Sequence, residues 1–467
     1  MHTHVHTYIV KALMPAGTRP DAAAYQADHA AKNEWAGVGE PCAQGHIRPS
    51  AGSGTVHGAY RSRERIQFQC SRCFGGRARG MRRASAPVFV AALAALTGSA
   101  LPGARATLVS SHVFSNHKGG CGKTTILFHA ACEAAHSQSE RILVVDTTLR
   151  GDLSELLLGG DKEAAGKQAV RAVGHLRSTT KLFMQAAAHH AAREGAGEAS
   201  NSLVAKLFKG AAATKTLLDL DDQLIRVHDF NPAIPDNLYL CPGGSGPQTS
   251  YPLLQRQAIA ETLRECLSAS SAPWRLMCDT DGDQGFSDYT KIAHGLCDSV
   301  IVPLKTNVND FSNRCVPMME ELFLARQAGE ARSRIQMIVW NEVDVYKNAA
   351  STVSGLITPP KAAQGVINML NALVAEVAAT YPDLFHHLPP ESLDDIEEFV
   401  SASTFCVRAF GVTGLAAAEH GIPFCAMREG KLQGGRLVYD IAAERLDQLE
   451  QNVLDLVGRL CHHTPLA

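Results

Sequence analysis

Residues 115–125 read SNHKGGCGKTT, with Lys118 and Lys123 set around Gly119, Gly120 and Gly122. Glycines let the backbone fold back tightly and turn its N–H groups inward, making a nest whose partial positive charge suits phosphates. The apolar run before the stretch reads as a strand and the run after it as a helix, so the helix N-terminus adds its dipole to the nest. In that setting Lys123 reaches the β- and γ-phosphates of a nucleotide. The Thr124 hydroxyl is placed to ligate magnesium, and Cys121 and Thr125 complete the phosphate-binding loop. A plain glycine-rich turn is the simpler alternative. The order strand, glycine loop, Gly-Lys-Thr-Thr and helix argues against it, although the strict pattern asks for Gly where this chain has His117.

A carboxylate at a strand end is the second requirement of magnesium-nucleotide chemistry. The run WRLMCD supplies it as Asp279, the arrangement in which an acidic residue holds the magnesium shell. The following DTDGDQG adds Asp281 and Asp283, with Gly282 able to offer a backbone N–H to the γ-phosphate. An ordinary acidic turn is the alternative there.

These residues need a scaffold. From Thr107 onward, short apolar runs alternate with helix-like segments: TLVSSHVFS, RILVVD, NLYLC, WRLMCD, DSVIVPL, IQMIVW and IPFC are the strand candidates. Most are apolar on both faces, which predicts a mostly parallel sheet covered by helices on both sides, a three-layer α/β fold of the P-loop NTPase class. Ligands of such sheets bind beyond the carboxyl ends of the strands.

The Lys118-Gly-Gly-Cys-Gly-Lys-Thr-Thr form resembles the deviant P-loop of the ParA/MinD family of partition and positioning ATPases. Residues 107–160, 236–345 and, more loosely, 400–460 follow that family's order of elements. The resemblance implies ATP and Mg2+ as cofactors, an ATP-dependent homodimer, and a Lys118 that reaches the nucleotide of the opposite subunit. It implies a stimulating partner protein and DNA or another cargo to be segregated or positioned. Asp146, at the end of RILVVD, matches an aspartate that serves the magnesium shell together with Thr124 and Asp279. Lys118, Asp146 and Asp279 are thus the implied catalytic residues, and Asn341, after IQMIVW, matches an asparagine that bonds the adenine edge; without the resemblance it reads equally well as a turn former. The family's second aspartate, which positions the attacking water, is replaced here by Thr148. Thr cannot accept a proton as a carboxylate does, so the alternative is a hydrolysis-deficient nucleotide-binding module. Asp152 is the nearby substitute. A metal-cluster carrier of the same fold would need a late Cys-x-x-Cys pair, and Cys406, Cys425 and Cys461 are too dispersed.

Composition bounds the rest. The chain has 467 residues, 45% of them apolar and 19% charged, enough for a large core. Its net charge of −2 hides a basic leader, residues 1–106, with 13 Lys/Arg against 5 Asp/Glu. That leader is rich in Ala, Gly, Arg and His and reads as disordered or targeting-like, ahead of an ATPase domain at 107–467. Within it, Cys42, His46, Cys70 and Cys73 could close a tetrahedral zinc site, with incidental thiols as the alternative. Eight arginines between Arg61 and Arg83 suit nucleic acid or an anionic surface, or a solvated tail. Met81 to Ala106 has the shape of a targeting segment placed internally, consistent with organelle targeting or with translation from Met81. Thirteen scattered cysteines fit free thiols in the cytoplasm or another reducing compartment better than a disulfide scaffold.

Two helical stretches complete the reading. The insertion at about 161–235 is Ala-rich, and its His189-His190 pair reads as a solvated face rather than a metal site. Near the C-terminus, Leu446, Leu449, Val453, Leu456 and Leu460 fall on one stripe. Its polar face is acid-rich, which points to core packing and away from a membrane.

Overall fold

The computed structural model describes residues 108–195, 218–244, 249–282, 286–345, 357, 359–387, 395–435 and 437–462. The expectations for the leader, including Cys42, His46, Cys70 and Cys73, lie outside the described residues, as do Asp283 and the middle of the insertion.

Among the described residues an eight-stranded sheet runs in the order β3-β4-β2-β5-β1-β6-β7-β8. The strands are β1 (Leu108–Phe114), β2 (Arg141–Asp146), β3 (Ile225–Arg226), β4 (Leu238–Cys241), β5 (Trp274–Asp279), β6 (Ser299–Lys305), β7 (Arg334–Val343) and β8 (Thr404–Arg408). Every pairing is parallel except β3 with β4, which is antiparallel. The strands are apolar on both faces because each face is covered. In β2, Leu143 and Val145 enter one core while Ile142 and Val144 enter the other. In β6, Val300 and Val302 face one way and Ile301 the other. The three-layer arrangement expected from the sequence is the one observed.

Helix α1 (Lys123–Ser137) follows β1, and its residues from Ile126 to Ala135 are all buried. It packs on the sheet and against the C-terminal helix Ala443–His462. That helix buries the stripe Leu446, Leu449, Val453, Leu456 and Leu460, so the stripe is core, as its spacing suggests. One described helix, Lys361–Thr380, is long and apolar enough to cross a membrane by length and composition. It buries Ile367, Leu370, Leu373, Val374 and Val377 against the sheet's other face.

Three elements differ from the expectation. IPFC is not a strand: Phe424–Ala426 is a single 3-10 turn, because Pro423 has no N–H for a ladder and Phe424 is drawn under α1 to stack on His129 at 3.6 Å. The eighth strand is instead TFCVR, whose polar ends hide a half-buried pattern. The insertion is not helical throughout. Besides helices Ala165–Gly174 and Thr179–Gly195 it supplies the edge strand β3.

Candidate nucleotide-binding site

β1 is the point where the sheet's connections divide, with β5 on one side and β6 on the other. Its carboxyl end is therefore the crevice in which a ligand would sit. The loop that leaves it turns through Gly120 and Gly122, at φ 69° and 93°, a left-handed backbone that disfavours a side chain. A Cβ on Gly119 or Gly120 would meet nothing within 4 Å, and both glycines are exposed, so the nest opens outward. Gly122 precedes α1, which has no side-chain cap and no acidic residue in its first turn. Its first N–H groups remain available for an anion. Thr125 is half-buried on that first turn, and Cys121 is fully buried beneath the loop, its thiol donating to the Lys118 carbonyl at 3.2 Å.

Lys123 is buried, and its ammonium lies inside the loop, donating to the carbonyls of Asn116 at 3.2 Å and Lys118 at 3.0 Å. Two neutral carbonyls hold this charged amine, and a phosphate would supply an opposite charge. His117, the departure from the strict pattern, packs edge-on against Phe286 with ring centroids 5.3 Å apart. Burial lowers its pKa.

Asp279 pairs in register with Phe114 of β1 and Asp146 of β2, so the two carboxylates end neighbouring strands at one level. The Thr124 hydroxyl donates to Asp279 Oδ2 at 2.8 Å. Burial first and the Asp146 carboxylate second push Asp279 up to about 8. A divalent cation would relieve that repulsion, and Thr124 and Asp279 fit one, being adjacent oxygen donors at the mouth of the phosphate loop.

Asp146 fits a cation less well. Its Oδ1 accepts from the Thr148 N–H at 3.0 Å and hydroxyl at 2.7 Å, and its Oδ2 from the Ser154 N–H at 3.0 Å and hydroxyl at 2.6 Å. Burial raises its pKa, and these hydrogen bonds oppose the rise. Four protein donors already occupy the carboxylate, so Asp146 organises its own loop. Thr148 belongs to the same network, since its hydroxyl donates to Asp146 and accepts from Gly151 N at 3.0 Å. Asp152 is exposed on the first turn of helix Asp152–Leu157, and Ser154 is the residue that reaches Asp146.

Asn341 sits at a bulge in β7, where the register with β8 shifts and Glu342 takes φ 58°. That kink turns its buried carboxamide onto the phosphate loop, with Nδ2 donating to the Cys121 carbonyl at 2.9 Å. A Cβ on Gly122 would lie 2.1 Å from that nitrogen, which accounts for glycine there. Lys118, half-exposed, forms an ion pair with Asp310 of its own chain. Asp310 lies in the turn Val308–Asp310 after β6, which Asn307 caps.

The fold thus brings Gly119, Gly120, Cys121, Gly122, Lys123, Thr124, Thr125, Asp279 and Asn341 around one loop, with Lys118 at its rim and Asp146 one strand away. Sequence reasoning missed Ser154 and Asp310. The Ser154 contact had a readable signal, since a serine two residues into a helix, after an aspartate and a glycine turn, is a common source of capping bonds. The Asp310 contact joins residues 192 positions apart and had none.

No family model matches the chain. No curated protein matches it. Among solved structures it is similar to an ATP complex of a Cyanothece McdA variant, at 12% identity and a TM-score of 0.43 over 77% of this chain and 99% of that one. It is similar to a putative plasmid partition protein from Borrelia burgdorferi bound to AMPPNP, at 11% identity and 0.40 over 74% and 97%. It is similar too to the MinC:MinD cell division complex of Aquifex aeolicus, at 11% identity and 0.36 over 77% and 98%.

Proposed function

We propose that this chain is an ATP- and Mg2+-dependent dimerisation switch of the ParA/MinD type. The observation that carries the reading is the pairing of Thr124 with Asp279 beside a Lys123 ammonium folded into an open glycine nest. The nest and the N-terminus of α1 hold the phosphates, Lys123 neutralises the β- and γ-phosphates, and Asn341 stiffens the loop beside the base. Magnesium, held by Thr124 and Asp279 with Asp146 behind them, would neutralise charge developing on the phosphates. Lys118 releases Asp310 and serves the nucleotide of a second subunit, so pairing is the output and hydrolysis the reset. Segregation or positioning of DNA or another cargo, with a stimulating protein partner, is the use that this output suits.

A second reading is favoured by one observation. The Thr148 hydroxyl is committed to Asp146 and Gly151, so it supplies no base, and the chain would pair on ATP without turning it over.

Light scattering and phosphate release of the full chain with ATP and Mg2+ test both readings. The switch predicts a dimer that Lys118→Ala abolishes while ATP binding survives. A monomer at saturating ATP, or a Lys118→Ala chain that dimerises normally, sinks it. ATP-dependent pairing without phosphate release above a Lys123→Ala control selects the second reading.

A further inference from the structure

We propose that Asp281 is the residue that orients and deprotonates the water attacking the γ-phosphate. This rests on the ATP-binding reading above. The loop after β2 offers no free base: Asp146 is saturated by four donors, the Thr148 hydroxyl is engaged, and Asp152 is exposed on its helix. The loop after β5 is built differently. Thr280 fixes its start, with its N–H donating to Asp279 Oδ1 at 3.1 Å and its hydroxyl to the Phe114 carbonyl at 2.8 Å. Two residues on, Gly282 closes over the phosphate loop. A Cβ there would lie 2.7 Å from Lys123 Nζ, 2.8 Å from the Lys118 carbonyl and 2.9 Å from Gly119 N.

Asp281 stands between these anchors. Its Oδ2 accepts from the Leu149 N–H at 3.1 Å, so a carboxylate spans the gap between the phosphate loop and the residue after Thr148. It is half-buried, one position from the glycine that lies against the Lys123 ammonium. A γ-phosphate paired with Lys123 would therefore lie beside the backbone that carries this side chain. In the step, the water oxygen bonds to the γ-phosphorus and the bond to the bridging oxygen breaks, its electron pair leaving on ADP. The water proton passes to the Asp281 carboxylate and then to solvent.

Full-length wild type, Asp281→Asn, Asp281→Glu and the double variant Thr148→Asp/Asp281→Asn are compared with ATP and Mg2+ for phosphate release. Binding of a fluorescent non-hydrolysable ATP analogue is measured in parallel. Asparagine keeps an oxygen for the Leu149 N–H, so a merely structural role leaves Asp281→Asn active. A water-activating role predicts phosphate release about 100-fold lower or more with analogue affinity unchanged, because a positioned base contributes roughly 10²–10⁴-fold. Partial activity in Asp281→Glu, or recovery in the double variant, supports the role. Wild-type turnover in Asp281→Asn overturns it, as does loss of analogue binding in that variant. A wild type that binds the analogue yet releases no phosphate overturns the proposal and leaves nucleotide binding standing. One that does not bind the analogue overturns both.

Discussion

Two loops leave neighbouring parts of the sheet at the same level and use their polar groups in opposite ways. The loop after β1 faces outward: Gly119 and Gly120 meet nothing, its helix has no side-chain cap, and its buried lysine donates to the carbonyls of Asn116 and Lys118. The loop after β2 faces inward, with Asp146, Thr148, Ser154 and Gly151 satisfying one another. One loop is built to gain a ligand, the other to hold its own shape. Ligand affinity and stability should therefore respond to different substitutions.

The comparison breaks first at Lys123. Lys123→Ala should weaken fluorescent ATP-analogue binding about 10- to 100-fold, since a charge-assisted contact is worth roughly 1.5–3 kcal/mol. Analogue titration checks it, and an unchanged affinity would mean that the outward loop does not grip phosphates. The inward loop should show the reverse pattern. Ser154→Ala removes a hydroxyl that donates to Asp146 and accepts from Gly243 N at 3.0 Å. It should cost about 1–3 kcal/mol in urea unfolding while leaving analogue affinity intact. Thr148→Val should cost less, about 1 kcal/mol, because Thr148 keeps 7% of its surface exposed where Ser154 is fully buried.

A pH dependence gives a separate test. Asp279, pushed up to about 8, keeps its proton in the folded chain where the unfolded chain loses it near about 4. Stability of the nucleotide-free chain thus declines as pH rises from about 4 to about 8. Asp279→Asn removes this titration, so its melting temperature should vary less with pH across that window. Melting curves that stay parallel for the two proteins would show that the raised pKa does not act on folding.

What the sequence revealed follows from how local each signal is. The glycine loop between strand and helix and the strand ending in Asp279 are contiguous patterns, and both elements stand where expected. The doubly apolar strands revealed the three layers for the same reason. The eighth strand did not announce itself because TFCVR is short and polar at both ends, while IPFC carried the stronger apolar signal and turned away at Pro423. At the site, the residue types were legible but their partners were not. Nothing local in Asn341 says that its carboxamide meets Cys121, and nothing in Asp146 says that Thr148 and Ser154 exhaust it.

The start of helix Thr179–Gly195 carries a consequence for anyone who would shorten the chain. The Thr179 hydroxyl donates to the backbone carbonyls of Asp146, at 2.8 Å, and Cys241, at 3.2 Å, so the inserted segment is bolted to two strand ends rather than hung from them. A deletion confined to Asp161–Arg177 spares that bolt. One that runs through Thr179 removes it and leaves the ends of β2 and β4 to find a new fastening.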